Sequence, residues 1–153
     1  MNLKRYALRA LEVAKEDLRR DKFLIPVAFI VVGDQVSDFS VQFKDPNQKA
    51  LVYSELVRIA KEKRADAIIT INDAKLTNMV SARSGGAKQD LRTNEGTQDC
   101  IYLTVSGPAI RTWSVCLPYE RAGYEIIWGD QSELLDDLLN LLPGWPANQP
   151  IAS

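Results

Sequence analysis

Directly after Pro26 the chain reads Val27-Ala28-Phe29-Ile30-Val31-Val32, an unbroken apolar run, and no other feature restricts its fold so tightly. A strand with one wet face alternates apolar and polar residues. A continuous run marks a strand covered on both faces. Such a strand needs a packed layer on each side of its sheet. Helices are the obvious layers. Leu3, Ala7, Leu11, Ala14 and Leu18 recur at helical spacing, giving one apolar stripe over residues 2–21 with Arg and Glu opposite. Asp45-Pro46-Asn47-Gln48 starts a second helix, because Asp45 can cap, Pro46 suits the first turn and Gln48 completes a capping box. Val52, Leu56, Ile59 and Ala60 then mark its expected buried side, as far as Lys63.

The strands follow from period and punctuation. Gly33-Asp34 begins a turn, and Phe39, Val41 and Phe43 alternate with polar neighbours as a half-exposed partner of the first strand. Ala67-Ile68-Ile69-Thr70-Ile71 is a third strand. The strand–helix–strand connection predicts a right-handed crossover, with the third strand parallel to the first. Residues 74–99 show no sustained period, and so long a connection is usually functional or disordered. Residues 100–105 and 110–117 alternate around Ser106-Gly107-Pro108-Ala109 as a second hairpin. After the turn at Ala122-Gly123, residues 124–128 form a sixth strand. A third helix is expected over 132–142, through Leu134, Leu138 and Leu141, ended by Pro143-Gly144. The expected fold class is therefore α+β (mixed α/β). One domain over 1–145 holds a single mixed six-stranded sheet, order 2-1-3-4-5-6, with three helices packed on it. A Pro-containing tail covers 146–153.

Composition excludes more functions than it suggests. The 153 residues contain no histidine, which removes the commonest general base, the commonest metal ligand and the usual partner of a nucleophilic Ser or Cys. Cys100 and Cys116 alone cannot build a four-thiolate zinc site, and they read as two buried free thiols. No cofactor and no metal is expected. A net charge of −1 gives no electrostatic case for nucleic acid or an anionic membrane. The bases of the first helix, from Lys4 to Arg20, are interrupted by Glu12, Glu16 and Asp17, as in a helix held by its own charge pairs. No stretch of about 18 apolar residues occurs, and a cytoplasmic location is the default expectation.

The candidate site residues lie at strand ends and in the long connection. Asn72-Asp73 follow the third strand, near the expected position of Asp34, at the edge where open α/β sheets bind ligands. The two carboxylates suit a cation or an acid/base pair. In Ser81-Ala82-Arg83-Ser84-Gly85-Gly86-Ala87-Lys88, adjacent glycines and two cations suit an anion, without P-loop spacing. The ligand-binding set is thus Asp34, Asn72, Asp73 and Lys75, with Arg83 and Lys88 leaning over it. Trp113, Trp128, Trp145, Tyr102, Tyr119 and Tyr124 concentrate in the second half, either as core or as a partner surface, with Trp113 and Tyr102 as an expected cross-strand pair. The leading expectation is a non-enzymatic interaction or regulatory module that self-associates as a homodimer. The alternative is a domain binding an anionic or phosphorylated small molecule, or a carboxylate-dependent enzyme, using the 74–99 connection. Residues 81–96 are expected to be the most mobile internal segment and dispensable for folding.

The order helix, hairpin, helix, strand over residues 3–71 resembles the cytidine-deaminase-like topology. The second helix opens Asp45-Pro46-Asn47-Gln48-Lys49-Ala50 in place of that family's His/Cys-Ala-Glu, and no Pro-Cys-x-x-Cys occurs, so the resemblance implies fold alone. Residues 25–74, a Pro-led apolar strand, acidic turn, alternating strand, helix and Ala-rich strand, also look like a group of small uncharacterised bacterial proteins. That resemblance implies no activity.

Overall fold

The computed structural model describes residues 2–75, 98–135 and 141–146. In chain order it has α1 (Leu3–Asp21), β1 (Val27–Val32), β2 (Gln35–Ser40), α2 (Pro46–Glu62) and β3 (Ala67–Lys75). These are followed by β4 (Asp99–Gly107), β5 (Ile110–Ala122), β6 (Glu125–Trp128) and β7 (Ser132–Leu134). The architecture is α+β, with one sheet ordered β2-β1-β3-β4-β5-β6 as expected and β7 attached to β5.

Several expectations need correction. The sheet is antiparallel throughout its pairings rather than mixed. Val27 lies opposite Ile71 and Val31 opposite Ala67, so β3 runs against β1. The helical connection starts from β2, not β1, and carries the chain past β1, which leaves β3 running the same way as β2. The sheet also has seven strands, not six, and two helices are found among the described residues. Ser132–Leu134, expected to open a third helix, is strand β7 and pairs with Ser114–Cys116 of β5. Strand β6 covers only residues 119–122 of β5, so the outer backbone groups of 114–116 would otherwise go unpaired. That demand outweighs the helical spacing of the leucines, and residues 136–140 lie outside the described residues. Finally, β2 begins immediately after the Gly33-Asp34 turn and ends at Ser40, earlier than its apolar alternation suggests.

Local chemistry fixes the helices. Asn2 accepts from the Arg5 amide at 3.1 Å to cap α1, and Ala7, Leu11, Ala14 and Leu18 are its buried stripe. Asp45 accepts from Gln48 N at 2.9 Å, and Gln48 reaches back to Lys44 N at 2.6 Å. Helix α1 packs on one face of the sheet, over Ile69, Ile71, Ile101, Leu103 and Val115. Helix α2 packs on the other, with Tyr53, Leu56, Val57 and Ala60 over Ala28, Ile30 and Ile68. The sheet is thus the middle of three layers, as the doubly covered β1 demanded.

Candidate functional site

The antiparallel register separates the residues expected to form one pocket. Asp34 stands in the β1–β2 turn, beside the start of β3, whereas Asn72 and Asp73 lie near its end. Five residues at about 3.3 Å each, roughly 17 Å, run between Ala67 and Asn72. Asp34 is exposed and helps line a cavity of about 260 Å³ with Leu3, Val31, Gly33 and Asp66. Lys75 ends β3 with its backbone opposite Asp99. Arg83 and Lys88, with the whole of the expected mobile segment, lie outside the described residues.

Alternation divides Asn72 from Asp73 as well. Asp73 projects to the α1 face, where its carboxylate accepts from Tyr119 Oη at 2.9 Å. Arg121 donates to Asp99 at 2.8 Å and to the Lys22 carbonyl at 3.3 Å, with its guanidinium 5.3 Å from the Tyr119 ring. Burial and the Asp73 charge push the Tyr119 phenol well above its ordinary value. This network joins the end of α1 to β5. Among the described residues, no three His, Cys, Asp or Glu side chains converge to hold a metal ion.

Asn72 faces the other way, into a polar strip that sequence reasoning missed. On the α2 face of the three central strands, Thr70, Thr104 and Ser114 form one cross-strand row, and Asn72, Tyr102 and Cys116 form the next. All six are buried. Ser106, opposite Ile68, extends the strip along β4. The buried polar residues among those described are Thr70, Asn72, Thr104, Ser106 and Ser114, and by alternation all five share this face. Thr104 and Ser114 hydrogen-bond at 3.1 Å. From α2, the Tyr53 hydroxyl donates to Asn72 Oδ1 at 2.7 Å, and burial pushes its phenol up to about 12. The Asn72 side-chain nitrogen is buried and makes no hydrogen bond. Buried amide donors are nearly always satisfied, and leaving one unmade costs about 1–3 kcal/mol.

Cys100 and Cys116 are free and buried at the end of the strip, as expected. Cys116 lies opposite Tyr102 and Cys100 opposite Pro118, which makes the two thiols diagonal neighbours. The hydrogen bond between them, together with burial, pushes the Cys100 thiol up and keeps it protonated, while the same bond pulls the Cys116 thiol down. A buried, protonated thiol is a poor nucleophile. The aromatics prove largely to be core. Trp113, Trp145, Tyr102 and Tyr119 are buried, and Tyr124 at 89 % is the strongly exposed one. Trp113 lies opposite Val105 on the α1 face while Tyr102 lies on the α2 face, so the expected Trp113–Tyr102 pair does not form. No known protein family, curated protein or solved structure matches the chain.

Proposed function

We propose that the chain is a non-catalytic binding module that holds a small polar molecule at the strip around Asn72. One observation carries the reading: the Asn72 nitrogen, buried to 6 % residue exposure, offers its hydrogens to nothing while its oxygen is fixed by Tyr53. A donor held in orientation but left unmade suits an acceptor oxygen supplied by a ligand. The strip's hydroxyls and amide carry no charge, and Tyr53 stays protonated at neutral pH. Recognition through hydrogen bonds therefore fits better than acid/base chemistry.

The test is a thermal-shift screen of nucleotides, sugars, phosphates and small amides against the chain and its Asn72→Leu variant. Ligand at 100 times its Kd adds about 2.7 kcal/mol. For a domain of this size that is a rise of roughly 5–10 °C. The expected result is a hit that raises the midpoint of the parent and leaves that of Asn72→Leu at its own baseline. A hit that shifts both equally locates binding elsewhere and contradicts the proposal.

A further inference from the structure

A groove lies at the opposite end of the sheet from the strip, with a chemistry unlike it. It measures about 530 Å³, where the end of α2, the β4–β5 turn and the segment 145–146 meet. Ala60, Ala65, Pro108, Ile110 and Trp145 give it apolar walls; Lys61 and Arg64 stand among them, outnumbering the one carboxylate of the lining, Asp66, which accepts from Gly33 N at 2.7 Å. Neither cation has an ion-pair or hydrogen-bond partner for its side chain among the described residues, whereas Arg58, one turn earlier, is held by both Glu55 and Glu62. The volume falls within the range of small-molecule sites, which are apolar with a few convergent polar groups.

The backbone under Arg64 makes its presence informative. Helix α2 ends in a Schellman motif: Ala65 N bonds Ala60 O at 2.9 Å, and Arg64 N bonds Lys61 O at 3.1 Å. The residue between these bonds adopts the left-handed conformation that glycine fills at least strain. Here it is Arg64, with φ 53°. Lys22 ends α1 in the same conformation, at φ 67°, but only at Arg64 of the two does it coincide with the wall of this groove. The same hydrogen bonds occupy the carbonyls of Ala60 and Lys61, which quiets the negative end of the helix dipole.

We propose that this groove binds an organic carboxylate with a planar apolar body, the carboxylate between Lys61 and Arg64 and the body against Trp145 and Pro108. Charge complementarity selects the anion, and the apolar walls select the body over a free inorganic ion. Trp145 is itself fixed, donating from Nε1 to the Ser106 carbonyl at 3.3 Å. The groove and the Asn72 strip share no residue, so this site stands or falls independently of the reading above.

The experiment titrates 2-naphthoate, neutral 2-naphthylmethanol and inorganic phosphate into the ¹⁵N-labelled full chain, following the Trp145 Nε1 and Lys61 amide signals. Saturable shifts with naphthoate, at least tenfold weaker with the alcohol and with phosphate, are expected. Arg64→Gly relieves the left-handed strain, so its melting midpoint should hold or rise by ~2–4 °C while naphthoate affinity falls at least tenfold. Equal affinity for acid and alcohol, phosphate binding as tightly as naphthoate, or unchanged naphthoate binding by Arg64→Gly would each overturn the proposal. A fall in the Arg64→Gly midpoint would also count against it, since Arg64 would then be serving the fold.

Discussion

Tyr53 shows how one side chain escapes detection. Two apolar stripes compete along α2, one through Val52, Leu56 and Ile59 and one through Tyr53, Leu56, Val57 and Ala60. The aliphatic stripe is the better hydrophobic pattern, yet the helix turns Tyr53 inward and leaves Val52 and Ile59 half-buried. The inward Tyr53 also donates to Asn72, 19 residues away, a contact that no helical period encodes. Asn72 itself was legible as a strand-end polar group. Its burial was not, because it depends on where α2 lies. The burial of Tyr53 has a pH signature, which the bond to Asn72 only moderates. Tyr53 in the fold holds its proton to about pH 12, whereas an unfolded tyrosine gives it up near its ordinary value of 10. Above pH 10 the unfolded chain therefore binds fewer protons, and stability falls as pH rises through 12. The contribution is fully present below pH 10. Urea unfolding between pH 9 and 12 should show a steeper loss in the parent than in Tyr53→Phe. Equal slopes would mean that the phenol titrates in the fold as it does in the unfolded chain.

At the level of elements, spacing and capping fixed most of what was read correctly. The α1 stripe, the Asp45 cap, the Pro46 start and the strand order all rest on short-range signals. Strand β7 was invisible for the opposite reason. The need for it arises on β5, whose 13 residues outrun β6. Gly129 makes that junction close, donating to the Pro118 carbonyl at 2.8 Å where β6 ends. The β4–β5 turn is just as constrained. A Cβ added at Gly107 would stand 2.2 Å from the Asp66 carbonyl oxygen, which is backbone and cannot swing away. Gly107→Ala should therefore destabilise the fold by about 1–3 kcal/mol, the usual range for forced overpacking. Urea unfolding measures it directly, and a loss below half a kcal/mol would show that the turn shifts freely from Asp66.

Across the whole molecule, one error in strand direction scattered the expected site. With β3 parallel to β1, Asp34, Asn72 and Asp73 would have shared a sheet edge. With β3 antiparallel they occupy opposite ends and two faces. Charge misled less. Three bases of α1 pair within the helix, as Lys15–Glu12, Arg19–Glu16 and Arg20–Asp17, and Lys15 also stands over Trp128 while Lys22, at the end of the helix, donates to the Tyr124 carbonyl. Such exposed pairs contribute a few tenths of a kcal/mol each and orient the layers more than they hold them. Stability comes from the two apolar clusters on either side of the sheet, and the polar strip interrupts the second of them. If the strip exists for binding, its central pair should be removable without harm to the fold. The most direct measurement is the unfolding free energy of the double variant Tyr53→Phe/Asn72→Leu, which deletes the hydroxyl, the amide and the unmade donor together. It should lie within about 1 kcal/mol of the parent or above it, because replacing both partners by apolar groups is close to neutral. A loss of about 3 kcal/mol or more would show that the pair is kept for the fold, and would contradict the proposed binding role.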